Sequence, residues 1–173
     1  RKLDASSEAK FNIETYTDVA NGSERPKPDP LARRFSDLSL DDVVARLPTL
    51  EDLNDEGAGV FVAVNEFDGH RRRENLVRVR GVHADLDGVE NETLESLRAR
   101  LRPTIEVQTS SPQHWHFYWL LAPGETLAAE QAEAINRGLV ELGADPAAVD
   151  VTRLLRLPGF RHMKHAKQGE QYA

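Results

Sequence analysis

Two short segments of the chain alternate apolar with polar residues, and this period of two constrains the fold more than any other feature. In a β-strand, successive side chains point to opposite faces of the sheet. Residues 82–87 would therefore place three apolar side chains on one face, and residues 114–119 three aromatic ones. The opposite faces carry His83, Asp85 and Asp87 in the first segment, and His114, His116 and Tyr118 in the second. Both segments are predicted to be strands with one core face and one polar face.

Turn residues and helical periodicity predict the elements around these two strands. Helices are expected from Ser39 to Pro48, from Asn91 to Pro103 and over 127–142, because each has an apolar stripe at helical spacing. Further strands are expected at 59–65, 76–87 and 104–109. Hairpin connections outnumber crossovers in this order of elements. We therefore expect an α+β fold with a largely antiparallel sheet flanked by helices.

The first 35 residues differ in character from the rest of the chain. Pro26, Pro28 and Pro30 exclude a helix there and are typical of an extended linker. We expect residues 1–35 to be an irregular arm or linker and residues 36–173 to form one core, since a chain of 173 residues suits one domain. The first residue is arginine rather than methionine, so the chain is expected to be a fragment of a longer protein.

Charge and composition narrow the class of protein. A net charge of -7 argues against a simple nucleic-acid binder, whose affinity comes mainly from cationic contacts to phosphate. The positive charge is nevertheless clustered, at Arg71, Arg72, Arg73, Arg78 and Arg80 and again at Arg153, Arg156, Arg161, Lys164 and Lys167. The lack of cysteine excludes disulfides, thiol catalysis and cysteine-rich zinc sites. No apolar run could span a membrane, so we expect an intracellular protein without a membrane partner.

The polar faces of the two alternating strands hold the first candidate functional residues. Asp85 and Asp87 are neighbours on one face, where two carboxylates repel each other unless a cation lies between them. Oxygen ligands of this kind suit Mg²⁺ or Mn²⁺. His114 and His116 lie opposite an aromatic core face and are candidates for phosphate contact or metal ligation. A polar strand end before an Asp-Gly turn and a half-exposed strand are the simpler explanations, and they stay open at this point.

A third segment, residues 145–164, is short, basic and interrupted by proline and glycine. Asp150 could supply a third carboxylate, and Arg153, Arg156 and Lys164 could neutralise a triphosphate. Alternatively, the basic residues could protect an edge strand from aggregation. That alternative accounts for the arginines but not for the acid that precedes them.

Taken together and in this order, the three segments resemble the motifs of the archaeo-eukaryotic primase superfamily, in the RepB-like form found in plasmid and phage primases. The first motif is similar to Asp85-Leu86-Asp87-Gly88, and the second to the Ser-Ser-Pro turn followed by His116-Phe117-Tyr118-Trp119. The third is similar to Asp150 followed by Arg153-Leu154-Leu155-Arg156-Leu157-Pro158-Gly159-Phe160, with Lys164 behind it. The resemblance covers about residues 58 to 167, and the third motif is its most distinctive part.

The resemblance implies roles for individual residues. Asp85, Asp87 and Asp150 would hold two divalent ions, Mg²⁺ or Mn²⁺. His116 would act in catalysis by contacting the phosphates of the incoming nucleotide. Other contacts to nucleotide and phosphate would come from Ser110, Arg153, Arg156 and Lys164. His162 departs from the family pattern, because a polar amide is frequent at this position, although histidine can fill a similar hydrogen-bonding role.

The resemblance also implies a fold, a reaction and partners. The fold would be a modified RNA-recognition-type (RRM-like) sheet with an added N-terminal α/β unit. The reaction would be two-metal phosphoryl transfer, in which a primase or primase-polymerase makes primers from nucleoside triphosphates on single-stranded DNA. A helical template-binding domain or a helicase outside this chain would be a further partner. Such a protein would be plasmid- or phage-encoded.

Other classes of protein fit parts of the same pattern. A rolling-circle replication initiator or relaxase of the HUH type would use His114 and His116 for one metal ion and Tyr172 as the nucleophile. This alternative leaves Asp85, Asp87 and the third motif without a role. A catalytically inactive nucleic-acid-binding module would have no need of three acids. A small-molecule enzyme with an acidic metal site would have no need of the arginine clusters.

Overall fold

The computed structural model describes residues 3–4, 6–19, 23–110 and 112–164, and it confirms the α+β class. The strands are β1 (Phe11–Thr17), β2 (Arg33–Leu38), β3 (Ala58–Ala63), β4 (Glu66–Phe67), β5 (Leu76–Arg78), β6 (Gly81–Asp87), β7 (Ile105–Gln108), β8 (His114–Leu120) and β9 (Leu154–Arg156). The helices are α1 (Leu40–Asp55), α2 (Asn91–Arg100) and α3 (Ala129–Val140). Short 3₁₀ turns lie at Arg73–Asn75 and Pro146–Ala148. None of the described helices is both long and apolar enough to span a membrane.

The strands form two larger antiparallel sheets and one hairpin. The first sheet has the order β2-β1-β3-β9, and the second has the order β6-β8-β7. The pair β4-β5 connects them along the chain. Helix α1 covers one face of the first sheet with Leu50, and α2 and α3 cover one face of the second with Leu94 and Leu139. The expected N-terminal α/β unit is thus formed by β1, β2, α1 and β3.

The prediction of an irregular arm over residues 1–35 is wrong. Strand β1 lies inside the first sheet and pairs with both β2 and β3, and the expected boundary after residue 35 falls within β2. Alternate residues of β1 are buried against the core, Phe11 and Ile13 among them. The polar residues between them, Asn12 and Glu14, are also buried, and each is bound by a group more than fifty residues away. The strand is therefore buried on both faces, which its polar residues do not indicate in the sequence. The proline-rich stretch is confined to the connection between β1 and β2.

Helix α1 begins as predicted but does not end at Pro48. Ser39 caps it, and Ser39 and Asp42 form the expected capping box. The helix continues to Asp55 because Pro48 lies on its exposed side. The carbonyl that loses its helical partner belongs to Val44, which is also exposed, so water can replace the missing bond.

The predicted strand over 76–87 is interrupted where the chain passes from the hairpin to the second sheet. At this break the side chain of Asn65 accepts a hydrogen bond from the backbone N–H of Arg80 at 3.0 Å. Strand β6 then starts at Gly81, where a Cβ atom would lie only 2.4 Å from the carbonyl oxygen of Trp119 on β8. Only glycine allows the two strands to approach this closely.

Arg80 is the centre of a buried ion cluster beneath this break. Its side chain is 2% exposed, and its Nε donates to Asp4 at 2.7 Å while one terminal nitrogen contacts Glu66 at 3.2 Å. The same nitrogen donates to the carbonyl of Lys10 at 2.5 Å, and the guanidinium lies over the ring of Phe11. Burial alone would raise the pKa of Asp4, but bonds from the Ser6 amide and Arg80 lower it to about 2. The cluster ties the N-terminal segment to both sheets.

Candidate functional site

A polar cleft of about 380 Å³ lies where the two sheets meet. Strands β6 and β8 supply two acids and two histidines, and further cations come from β9, from the residue before it and from the loop behind it. Seven of the eight site residues predicted from the sequence line it, namely Asp85, Asp87, Ser110, His116, Arg153, Arg156 and Lys164. His114 and His162 line it as well. The polar faces of β6 and β8 and the third segment therefore meet in this cleft.

Asp85 lies between two groups of positive character. It is the register partner of His116 across β6 and β8, and its carboxylate lies 3.4 Å from Nε2 of that histidine. The guanidinium of Arg153 lies 3.7 Å from its other oxygen. Burial would raise the pKa of Asp85, but the hydrogen bond from His116 and the charge of Arg153 outweigh it and lower the pKa. Asp85 is therefore held as a carboxylate.

Asp87, at the exposed end of β6, has the opposite tendency. Partial burial and the nearby carboxylates of Asp85 and Asp145 raise its pKa. Asp145 was not among the predicted site residues, because Asp145-Pro146 is typical of a turn. Its backbone N–H donates to the carbonyl of Asp85 at 2.8 Å, and it lines the cleft. Three carboxylates thus concentrate negative charge at this end of β6.

The structure does not bring Asp150 into the lining of this cleft. Its carboxylate accepts hydrogen bonds from the backbone N–H of Thr152, at 3.0 Å, and from the Thr152 hydroxyl. It lines a neighbouring pocket of about 430 Å³, which shares Arg153 with the cleft. Asp145 lines the cleft with Asp85 and Asp87, whereas Asp150 does not, although the Asp145 carboxylate also accepts a local bond, from the backbone N–H of Ala147 at 2.8 Å.

The donor set fits a hard cation that brings its own ligands. Across residues 3–4, 6–19, 23–110 and 112–164, no group of three or more acidic or histidine side chains converges closely enough to hold a metal ion. Mg²⁺ characteristically takes one or two protein carboxylates and completes its shell with water and substrate phosphates. Asp85 and Asp87, with their mutual repulsion, fit that mode rather than an all-protein cage.

The cationic side of the cleft is positioned by partners of its own. Arg156 donates to Asp18 at 2.8 Å and lies over the ring of Phe61. Arg153 donates to the carbonyl of Ala147 at 3.1 Å, while its buried Nε has no hydrogen-bond partner in the described part of the chain. The same holds for buried Nδ1 of His116. Contacts with a carboxylate, a carbonyl and an aromatic ring thus hold the two arginines in place.

Some predicted residues lie outside the described ranges. They are Ser111 of the Ser-Ser-Pro turn, Lys167 of the basic cluster, and Tyr172, which the HUH alternative requires as nucleophile. Lys164 and Ser110 are described, and both lie in the lining of the cleft.

His83, a neighbour of Asp85 on the polar face of β6, is buried rather than exposed. It is 1% exposed, and its Nε2 donates to the carbonyl of Ala148 at 2.9 Å. Its backbone N–H donates to Asn136 of α3, whose amide donates in turn to the carbonyl of Val149. These bonds fasten the loop that begins at Asp145 to the free edge of β6. Burial lowers the pKa of His83 to about 4.

We expect His83 to make stability depend on pH between about 4 and 6.5. In this window the unfolded chain protonates a histidine that the folded chain keeps neutral, so stability falls as pH falls. Between pH 7 and pH 5, the free energy of unfolding of the wild-type chain should fall by about 2 kcal/mol more than that of His83→Gln. Urea unfolding at the two pH values would measure both. The matched control is His70→Gln, since His70 is exposed. Equal pH dependence in wild type and His83→Gln would contradict this expectation.

Comparisons with known proteins identify one matching family and several similar structures. The model of the RepB DNA-primase N-terminal domain matches residues 49–172. The crystal structure of primase RepB′ is similar at 22% identity and a TM-score of 0.61, over 95% of this chain and 52% of that one. The catalytic domain of the same primase, solved in complex with initiator DNA, is similar at 23% identity and a TM-score of 0.62, over 94% of this chain and 74% of that one. The AEP domain of the primase-polymerase of cyanophage S-2L is similar at 16% identity and a TM-score of 0.65, over 94% of this chain and 80% of that one.

These similarities establish the fold of the chain. The chain spans about half the length of the RepB′ chain that it matches. A search of curated proteins found no match.

Proposed function

Because the chain belongs to the family of the RepB DNA-primase N-terminal domain, we propose that it is the catalytic core of a DNA primase or primase-polymerase. This nucleotidyltransferase would synthesise primers on single-stranded DNA in plasmid or phage replication. The observation that carries the proposal is the cleft, in which the acids of β6 face His116 and the arginines of β9 and its approach. That RepB′ has been solved with initiator DNA supports DNA as the partner of this chain.

The acids give the cleft its metal-binding character in this proposal. Asp85 and Asp87 would hold Mg²⁺ or Mn²⁺, with a third carboxylate nearby. Two such ions, when bound, supply Lewis-acid charge to the attacking 3′-hydroxyl and to the triphosphate. Arg153 and His116 flank Asp85, so the carboxylate stays ionised and keeps its orientation.

The cations have a separate task, which is to bind the triphosphate. Arg153 and Arg156 carry planar donors that suit phosphate oxygens, and Lys164 adds charge. His116 and Ser110 line the same wall and would add an imidazole and a hydroxyl to the phosphate contacts. The Asp18 carboxylate and the Phe61 ring hold Arg156 in place before substrate arrives, which reduces the cost of ordering it on binding.

The decisive experiment is primer synthesis on single-stranded DNA with labelled ribo- and deoxynucleoside triphosphates. It should be run with Mg²⁺ and with Mn²⁺, both without a primer and with one. Metal-dependent products would support the proposal and define the sugar preference. If no product forms, metal-dependent triphosphate binding by the same sample would point to a core that needs a helical template-binding domain or a helicase from outside this chain. Absence of both would refute the proposal.

The third carboxylate can be tested by comparing two conservative variants. The resemblance assigns it to Asp150, whereas the geometry of the cleft favours Asp145. We expect Asp145→Asn to weaken metal-dependent triphosphate binding by about tenfold or more, and Asp150→Asn to change it far less. Calorimetric titration of a non-hydrolysable triphosphate with Mg²⁺ would measure both. The reverse ranking would return the third ligand position to Asp150.

One observation keeps the HUH-type endonuclease as a second candidate, since His114 and His116 line the same cleft. That reaction would leave DNA covalently attached to a tyrosine. Incubation with single-stranded DNA and metal, followed by denaturing electrophoresis, separates the two functions, because a primase forms no such adduct.

A further inference from the structure

We propose that the open face of the first sheet is a binding track for single-stranded DNA that leads into the cleft. This inference rests on the proposed function, because it gives the template of that reaction a surface. We call this surface the sheet groove and define it by Tyr16, Arg25, Arg34, Phe61, Arg71 and Arg72; it meets the cleft at Arg153.

The register of the first sheet lines up its open face. Arg34 of β2 is opposite Glu14 of β1, which is opposite Phe61 of β3, which is opposite Arg156 of β9. The other face of the same strands packs into the core through Ile13 and Val62. A row of polar and aromatic side chains therefore crosses all four strands and ends at the arginine that lines the cleft.

Three depressions follow this row without a break. The first is the cleft. The pocket of about 430 Å³ shares Arg25, Phe61 and Arg153 with it. A third depression of about 260 Å³, which includes Arg34 and Arg72, shares Arg71 with the second. The walls are built by Arg25 and by the arginine-rich loop between β4 and β5.

The charges of the sheet groove suit a chain of phosphates. Its main acid, Glu14, is buried and already neutralised, because Arg71 donates to it at 2.8 Å and Arg34 lies 3.5 Å away. These two arginines and a bond from Tyr16 hold the pKa of Glu14 below its usual range, although burial opposes them. Asp150 also lines the second depression and keeps its charge, and its carboxylate accepts bonds from the backbone N–H and the hydroxyl of Thr152. The side chains of Arg34 and Arg72 are each 68% exposed and remain accessible to phosphates.

The aromatic residues of the groove suit bases. The rings of Tyr16 and Phe61 lie 6.3 Å apart on neighbouring strands. Arg25 lies 4.6 Å over the first ring, and Arg156 lies 5.0 Å over the second. Aromatic rings and guanidinium planes are the surfaces on which proteins stack the bases of single strands. Such stacking does not depend on sequence, as a template track requires.

The length of the groove favours a strand over a single nucleotide. Four strands at about 4.8 Å spacing extend over roughly 14 Å, and the cleft continues beyond them. Separate arginines occur along this whole distance rather than around one centre. A mononucleotide would use one depression, whereas a polynucleotide can use all three.

The test is DNA binding by Arg34→Gln/Arg72→Gln, measured without metal so that no synthesis occurs. Anisotropy of labelled oligodeoxythymidines, one short and one long, would be followed as a function of salt. We expect the double variant to bind the long oligonucleotide roughly tenfold more weakly, with the slope of log affinity against log salt reduced by about 1.4 for two lost contacts. The matched control is Arg33→Gln, the next residue of β2, which points to the opposite face.

Each outcome decides something. Unchanged affinity and slope in the double variant would overturn the groove, as would equal losses in Arg33→Gln. An equal loss of triphosphate binding would show a nucleotide pocket instead of a track, and would overturn it too. If the wild-type chain neither makes primers nor binds triphosphate with metal, but binds DNA through Arg34 and Arg72, the groove would be retained and the primase rejected. If the chain makes primers but its DNA binding does not depend on these arginines, the primase would be retained and the groove rejected.

Discussion

Asp85→Ala and Asp87→Ala should each abolish primer synthesis, a loss of more than about a hundredfold, while leaving the chain folded. Both carboxylates lie at the end of β6 where the cleft concentrates negative charge. Removing Asp87 relieves repulsion in the metal-free protein, so its melting temperature should stay equal or rise. Removing Asp85 separates His116 and Arg153 from their shared partner, so a small decrease is expected there.

Synthesis assays with Mg²⁺ and Mn²⁺, together with thermal melting in a chelator, would measure both effects. The matched control is Asp52→Ala, which removes an exposed aspartate from α1 and should retain full activity. Near-normal synthesis by either cleft variant would contradict the assignment. So would a marked fall in the melting temperature of Asp87→Ala without metal, since it would show that Asp87 stabilises the fold.

Arg80→Met should destabilise the fold by about 3–5 kcal/mol, because it leaves two acids without their buried cation. Asp4 and Glu66 are 6% and 11% exposed in their side chains, so water cannot replace the lost partner well. For a domain of this size, the loss corresponds to a fall in melting temperature of roughly 6–20 °C.

Arg78→Met provides the matched comparison for this prediction. Arg78 contacts the same two acids, but its side chain is 45% exposed, and such pairs contribute about 1 kcal/mol or less. Urea unfolding at neutral pH would measure the two variants side by side. Equal losses would show that the cluster depends on the number of charges near Asp4 and Glu66 rather than on burial.

The strands that carry the site could be predicted from sequence because their signal is local. Period-two alternation placed Asp85, Asp87 and His116 on one side of two strands, and the register of β6 with β8 puts Asp85 opposite His116. The same alternation did not predict that the first sheet covers part of this polar face of β8. Tyr118 is buried there against Val64 and Leu155, because the first sheet packs over it. That contact depends on β9, which is distant in sequence.

The parts that could not be predicted depend on long-range bonds. Asp145 reaches the cleft because its N–H binds the carbonyl of Asp85, sixty residues earlier, and because His83 holds the following loop. No periodicity in the sequence of that loop reports either bond. Strand β1 was missed for a related reason. Its buried Asn12 and Glu14 look exposed until their partners Gly69 and Arg71 are brought beside them.

Gly81 touches no candidate substrate group and carries no side chain, yet the close approach of β6 to β8 at the start of the strand depends on it. A larger residue would force β6 away from β8 at its first position, because a Cβ atom meets the Trp119 carbonyl at 2.4 Å. In a library of variants screened for the proposed primer synthesis, this position should tolerate as few replacements as the acids do. Intolerance to mutation at Gly81 would then reflect the close packing of two strands. Reading it as a sign of catalysis would place the reaction centre at the wrong end of β6.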